Sequence, residues 1–434
     1  MPSQTAVNNG SEPPAPSEPS LGAAEIIQFY DPTCSDWQAL NPTTDGLNKE
    51  QAGKELKRAR ASEEALKGFL LSSIQMQHLM VLAGSGTSLG PANGPSMASL
   101  WDNCVISTNS QGERAPSEAA EKVIEAVRFD VAVDADVRNK DNIEALLSRC
   151  EAFLQVNKDT GNRVSNFVKA SKVTILSMCR DFLDPKDENQ LNAHRTFLHR
   201  LSRRRVRDSR LRLFTTNYDA CFETAAGKQG LISLDGFSFT QPRFFDPRFY
   251  SYDVVRRSPN ADDFGTPLEG VFVLYKLHGS VNWERSGEAI VATDEATADN
   301  VCMVFPAAGK YQQSYIQPHL EIMSQYLSSL REPNTCLIAI GFGFNDKHLS
   351  EPILAAVRTN PHLRLVVVTP TARTDVEGDN HRYWKPLFEL AKNGHDVRLI
   401  NATFQQFAEV IPDLRSLTPA EQLSKDIQRI AASS

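Results

Sequence analysis

Hydrophobic and polar positions alternate along this chain in two ways, and each predicts a different element. Short, largely apolar runs, of the kind that build strands buried on both faces, occur at residues 79–83, 211–216, 271–277, 337–341 and 365–369. Weaker runs lie at 301–305 and 397–400. Between the first two runs the apolar spacing turns helical. Ile143, Leu146, Leu147, Cys150 and Leu154 form one stripe, and Val164, Phe167, Val168, Ile175, Leu176 and Cys179 a second. Phe197, Leu198 and Leu201 form a third. Residues 117–205 are therefore expected to be mostly helical, with Asp141 and Glu144 as an N-terminal capping pair. Another helix is expected from about Lys49, where Leu66, Phe69, Leu70 and Ile74 oppose Lys57, Arg58, Glu63, Glu64 and Lys67.

Strands separated by helices predict an α/β fold: a Rossmann-like, doubly wound, mainly parallel sheet with an inserted helical subdomain. The expected organisation is a disordered or irregular tail over 1–47, one α/β domain over 48–415, and a short helical tail over 416–434. The first of these is rich in Pro, Ser, Glu and Ala, then holds Phe29, Tyr30 and Trp37 without a clear period. Residues 235–270, rich in Phe, Pro, Arg and Asp, read as a long irregular loop that serves as a lid or a partner-binding element.

Polar motifs recur where the apolar runs stop. Gly84-Ser85-Gly86-Thr87-Ser88 follows the first run, Thr216, Asn217 and Asp219 the second, and His278 the third. Gly341, Gly343, Asn345 and Asp346 follow the fourth, and Thr369 ends the fifth. In doubly wound sheets ligands bind beyond the carboxyl ends of the strands, so these residues are expected at one rim. Each alone has a bland alternative. The glycines can form a tight turn with no ligand, and His278 can be satisfied by backbone bonds at a strand end. Asn217 can hydrogen-bond its own turn, and Asp219 and Asp346 can be helix N-caps.

Composition narrows the function classes. A hydrophobic content of 41% with 23% charged residues is that of an ordinary globular chain, and a net charge of −7 gives no global pull toward nucleic acid. The cluster Arg203, Arg204, Arg205, Arg207 and Arg210 reads as a solvated face, with a contact to nucleic acid or an acidic partner as the other option. Cys34, Cys104, Cys150, Cys179, Cys221, Cys302 and Cys336 are scattered and never spaced C-x-x-C, which argues against a disulfide framework and a zinc ribbon. No apolar run approaches the ~20 residues that span a bilayer, and no signal peptide is evident. A cytoplasmic location is expected. The glycine loop lacks a P-loop lysine, no G-x-S-x-G occurs near a strand end, and no H-E-x-x-H occurs. Attack of an activated water on a substrate with a good leaving group is the chemistry left. Neutral dipoles and a positioned water would stabilise an oxocarbenium-like state, with His278 as general base.

The motif set as a whole resembles the sirtuin superfamily, and more closely its bacterial sirtuin-like NAD-hydrolase branch of anti-phage defence. Gly84-Ser85-Gly86-Thr87-Ser88 resembles the family's G-A-G-x-S cofactor loop, with Ser85 in place of the usual Ala. Thr216-Asn217-Tyr218-Asp219 resembles its T-[QN]-N-x-D region, and Leu277-His278-Gly279 its His-Gly. Gly341-Phe342-Gly343-Phe344-Asn345-Asp346 is similar to the G-[YF]-G-[FS]-x-D stretch of the defence branch. The four-cysteine zinc ribbon of the deacylases is missing, and Pro95-Ser96-Met97 stands where their D-F-R is found.

The resemblance implies hydrolysis of NAD to nicotinamide and ADP-ribose, with NAD as substrate and no metal. Asn217 and His278 take the catalytic positions. Gly84, Ser85, Gly86, Thr87, Ser88, Thr216, Asp219, Gly341, Gly343, Asp346 and Thr369 fall at NAD-binding ones. It further implies an NAD-depleting effector of abortive infection, a homo-oligomer, and pairing with a HerA-type hexameric ATPase. Neither a membrane nor direct nucleic-acid contact is expected. The alternatives are a non-catalytic NAD or ADP-ribose sensor or scaffold, and an ADP-ribosyl transferase.

Overall fold

A computed structural model describes residues 27–32, 36–42, 46, 48–108, 112–129, 142–205, 208–257, 265–305, 317–377 and 383–413. The strands begin with β1 (Gln28–Asp31), β2 (Asp36–Ala39) and β3 (His78–Ala83), then β4 (Ile106–Thr108) and β5 (Arg114–Pro116). Next come β6 (Leu211–Thr215), β7 (Ile232–Leu234), β8 (Arg243–Phe244), β9 (Val255–Arg256) and β10 (Thr266–Pro267). They continue with β11 (Val271–Lys276), β12 (Gly279–Ser286), β13 (Ala289–Ala292) and β14 (Val301–Met303). The last three are β15 (Thr335–Ile340), β16 (Leu363–Thr369) and β17 (Val397–Asn401).

Among the described residues nine strands form the main sheet, in the order β2-β1-β17-β16-β15-β3-β6-β11-β7. Its contacts from β17 to β7 are all parallel, while β1 pairs antiparallel with both β17 and β2. The expected α/β fold, Rossmann-like and mainly parallel, is the one observed.

Alternation along the strands explains the two layers of helices. Met80 and Leu82, Leu337 and Ala339, and Leu365 and Val367 enter one core with the helices His319–Ser329, Lys347–Thr359 and Trp384–Lys392. Their neighbours Leu79, Val81, Ile338, Ile340, Val366 and Val368 enter the other. That second core packs against the helices Lys49–Ile74, Asn192–Leu201, Cys221–Lys228 and Phe404–Val410. Each fully buried Leu, Ile, Val or Met among them contributes about 1.5–3 kcal/mol, more than an exposed ion pair supplies.

The helical insertion is present as Glu118–Ala126, Ile143–Val156, Arg163–Arg180 and Asn192–Leu201. The first three, with Met97–Val105, share a core of their own that also takes in Val281, Met303 and Phe305.

Several expectations need correction. Residues 28–39, read from sequence as part of a tail, supply β1 and β2, and Phe29 and Tyr30 are buried against the sheet. The weak run at 301–305 belongs not to the main sheet but to a separate four-stranded one, ordered β14-β12-β13-β8. The stretch read as an irregular loop contains β8, β9, β10 and a short 3₁₀ helix, Pro247–Ser251. The helix at Ile143 is capped by Asn142, whose Oδ1 accepts from the Glu144 and Ala145 N–H groups at 2.9 and 3.2 Å. Asp141 and the 416–434 tail lie outside the described residues.

The arginine cluster is not uniformly a solvated face. Arg204 is 4% exposed and donates to the carbonyls of Ile74, Met76, Gln77 and Ser209, tying off the C-terminal end of the helix Lys49–Ile74. Arg210 pairs with Asp253. Arg207 lies outside the described residues.

Candidate active site

Strand register brings the polar motifs to one rim. Ala83 is level with Thr215 and with Ile340, Lys276 is level with Thr215, and Ile340 with Val368. The chain leaves β3 toward β6 and returns on the other side at β15, so the crevice between β3 and β15 is a topological switch point.

Glycine is required there on both sides. A Cβ on Gly86 would lie 2.7 Å from the Gly341 Cα, and one on Gly341 would lie 2.6 Å from the Thr87 nitrogen. Gly341 also holds φ +58°, in the left-handed region. The two loops thus touch backbone to backbone, with the Gly86 N–H donating to the Gly341 carbonyl at 2.9 Å. Phe344 has φ +56° although it is not glycine, and its buried ring is held by Phe342 and Trp384 at centroid distances of 5.0 and 5.2 Å. Such a conformation costs about 1–2 kcal/mol, which the surrounding packing offsets.

A cavity of about 380 Å³ opens over this rim. It is lined by Ser85, Ser88, Thr216, Asn217, Asp219, His278, Gly341, Gly343 and Asp346 from the expected set. A second cavity, of about 360 Å³, adjoins it and is lined by Gly86, Thr87 and Thr369. Both share Ser85, Gly341, Gly343 and Asn345 as wall. Gly84 lines neither cavity, because a Cβ there would strike Gly341 and Phe342. It packs the loops together instead.

The orientation of the Asn217 amide follows from its neighbours. Ser88 gives its one hydroxyl hydrogen to Asp219 Oδ2 at 2.7 Å, and Thr87 gives its own to the Gly84 carbonyl at 2.9 Å. Both hydroxyl oxygens must then accept from Asn217 Nδ2, which lies 2.8 and 3.1 Å away. With both amide hydrogens so used, Oδ1 is the Asn217 atom left for a ligand, and it is an acceptor. Asp219 also accepts the Cys221 N–H at 3.0 Å, at the start of the helix Cys221–Lys228.

His278 Nε2 lies 3.3 Å from Asp346 Oδ2. The same Asp346 caps the helix Lys347–Thr359, its Oδ1 accepting the His348 N–H at 3.0 Å. Gly279 follows His278 with φ +79°, and a side chain there would run into the Cys302 carbonyl. Behind this pair sits His319, whose imidazole is lowered to about 4 by burial and by the nearby His278. Burial pushes the Tyr218 phenol well above its ordinary range, and its hydroxyl donates to the Val304 carbonyl at 2.7 Å. Tyr218 is therefore a neutral wall.

Sequence reasoning missed the far wall. Glu144 and Cys179 line the first cavity from the helical insertion, Met97 and Leu100 from the helix Met97–Val105 packed on it, and Lys347 and His348 from the rim. Periodicity marks Leu100 or Cys179 only as core. In the second cavity it missed His194, fully buried with neither ring nitrogen hydrogen-bonded, between Phe222 and Phe404 at 5.0 and 4.8 Å. Burial lowers its imidazole to about 4. Among the described residues no group of three or more His, Cys, Asp or Glu is placed to hold a metal ion.

Residues 211–390 match the model of the SIR2-like domain. The SIR2-like segment holds Asn217, His278, Asp346 and both Gly341 and Gly343, whereas the 84–88 loop precedes it. No curated protein matches the chain. Among solved structures it is similar to a triple mutant of a Sir2 homologue in complex with 2′-O-acetyl ADP-ribose. That likeness has 13% identity and a TM-score of 0.37, over 79% of this chain and 94% of that one. A Sir2 homologue mutant in complex with ADP-ribose follows at 12% and 0.37, over the same shares. A Sir2 homologue bound to NAD gives 14% and 0.31, over 79% and 91%.

Proposed function

We propose that this chain binds NAD across the two adjoining cavities and hydrolyses it to nicotinamide and ADP-ribose. The observation that carries the reading is the convergence of Asn217 and His278 on one cavity whose wall is shared with a second at Ser85, Gly341, Gly343 and Asn345. A dinucleotide is a two-lobed ligand, and cavities of 300–1,000 Å³ are of small-ligand size. The glycine loops meet backbone to backbone at the wall the two lobes share, with no side chain at 86 or 341 between them.

The nicotinamide ribose would occupy the lobe with Asn217. Its bond from C1′ to the nicotinamide nitrogen breaks with the electron pair going to nicotinamide, leaving oxocarbenium character on the ribose. Asn217 Oδ1 accepts from the attacking water or a ribose hydroxyl without adding charge. The water oxygen bonds C1′ and gives up a proton. In the tautomer whose Nε2–H donates to Asp346, His278 Nδ1 is left to take that proton, and Asp346 stabilises the imidazolium formed.

The role as an NAD-depleting effector in anti-phage defence, the homo-oligomer and the HerA-type ATPase partner are supported by the motif resemblance. The test is NAD consumption by purified protein, alone and with a candidate ATPase, beside Asn217→Ala and His278→Ala. Nicotinamide and ADP-ribose formed by the wild type and lost in both variants support the hydrolase. Binding of NAD without turnover, even with the partner, sinks it in favour of a sensor, and an ADP-ribosylated product in favour of a transferase.

A further inference from the structure

A lysine at the end of a buried strand is costly unless its three donors are used, and Lys276 uses all of them on one target. Its residue is 1% exposed at the last position of β11. Nζ donates to the Tyr218 carbonyl at 3.2 Å, to the Asp219 carbonyl, and to Glu223 Oε1 at 2.9 Å. These acceptors lie directly after Asn217, on the turn between β6 and the helix Cys221–Lys228 and in that helix's first turn. The backbone just beyond Lys276 carries His278. One side chain thus joins the two residues placed at the reacting end of the cavity.

We propose that Lys276, neutralised by Glu223, is a positioning residue that fixes Asn217 relative to His278. Among the described residues Asn217 is otherwise oriented from the 87–88 side, through Thr87 and Ser88, and by its own N–H to Thr215 Oγ1 at 3.0 Å. Ser280 Oγ and the Val281 N–H also reach the Tyr218 carbonyl, at 3.2 and 3.0 Å, but both come from β12, beyond His278. Lys276 holds the Asp219 carbonyl as well, so it sets the twist of the turn and not merely its distance. The proposal rests on the reading of Asn217 and His278 as the reacting pair.

The experiment compares wild type with Lys276→Met and with the double variant Lys276→Met/Glu223→Met. The double variant removes both charges together, because replacing a buried pair by apolar side chains is often neutral for stability. Hydrogen exchange at residues 216–220 is read alongside kcat and KM for NAD. The clamp predicts faster exchange confined to that turn and a kcat reduced at least about tenfold, with KM within about threefold, in the double variant. Turn exchange and kcat within about twofold of wild type overturn it, as does a KM increase with kcat unchanged. Should both variants fail to fold, Glu223→Gln keeps Lys276 and loosens only its neutralising partner. It should speed exchange of the same turn and lower kcat about two- to fivefold, and wild-type values for both overturn the clamp. Absence of NAD turnover in the wild type counts against the hydrolase, while the exchange measurement still decides whether Lys276 fixes the turn.

Discussion

Ser88 gives its hydroxyl hydrogen to Asp219 at 2.7 Å, bridging two loops 131 positions apart in sequence. Because a serine has only one hydrogen to give, this bond decides the direction of the next one, and through it which atom of Asn217 faces the cavity. One hydroxyl of the cavity wall thereby sets the polarity of the amide beside it.

Removing that relay should cost both turnover and folding. Ser88→Ala leaves Asn217 with one of its two acceptors and Asp219 without the Ser88 donor, two lost hydrogen bonds worth about 1 kcal/mol of stability each. We expect kcat for NAD to fall about tenfold or more and the denaturation midpoint to fall with it, read by nicotinamide release and urea melts. A variant with wild-type kcat would show that the Thr87 contact alone orients the amide.

Asp346 serves His278 and a helix at once, and one substitution separates the duties. Asparagine caps helices about as well as aspartate, so Asp346→Asn should leave thermal stability within about 0.5 kcal/mol. It removes the charge facing His278, and kcat should drop about ten- to a hundredfold. Loss of stability without loss of turnover would make Asp346 a cap and nothing more.

Gly341 is predicted to tolerate no side chain. Alanine there would hold an unfavourable positive φ and place its Cβ 2.6 Å from the Thr87 nitrogen, against backbone that cannot swing aside. Gly341→Ala should separate the two glycine loops, lower stability by about 2 kcal/mol or more, and weaken ADP-ribose binding measured by calorimetry. Unchanged affinity would mean that the loops do not need contact to bind the ligand.

His194 should impose a pH dependence on stability. Its imidazole is lowered from 6.5 to about 4 by burial, so between these values the unfolded chain binds a proton that the folded chain refuses. Stability from this group is therefore complete above about pH 6.5 and is lost as pH falls toward 4, by an amount on the order of 2–3 kcal/mol. His194→Phe, flanked by Phe222 and Phe404, should flatten that part of the profile in melts from pH 7 to 4. His319, also lowered to about 4, acts in the same direction and leaves a residual slope. An unaltered profile would show that His194 protonates without unfolding cost.

How much of this was legible depended on whether one residue type carried the signal. The central strands were readable because β3, β11, β15 and β16 are apolar on both faces, a pattern that short surface strands lack. β1 and β2 escaped because four-residue strands with mixed burial have no period to detect. The second sheet escaped because β12 mixes Asn282, Glu284 and Arg285 with its buried Val281 and Trp283. Motifs at strand ends located Asn217, His278 and Asp346, since strand ends are local facts. The contributions of Glu144 and Cys179 to the cavity depend on how the insertion packs, which no local spacing encodes. Arg204 was hidden by its own neighbours, one buried guanidinium in a basic run. Lys276 was equally hidden, since it lies inside the apolar run 271–277 and nothing in that run marks its partners Tyr218, Asp219 and Glu223.

The antiparallel pair β1–β2 bears on how this chain can meet another. A parallel sheet of this width would otherwise end on β17, with a row of unpaired backbone groups inviting a neighbour's strand. Here the N-terminal strands occupy that row, and the last of them, β2, has only four residues and lies beside the helix Lys49–Ile74, whose Arg58 pairs with its Asp36. The opposite border, β7, offers three residues. Among the described residues, growth of the main sheet from one molecule into the next has little to grip.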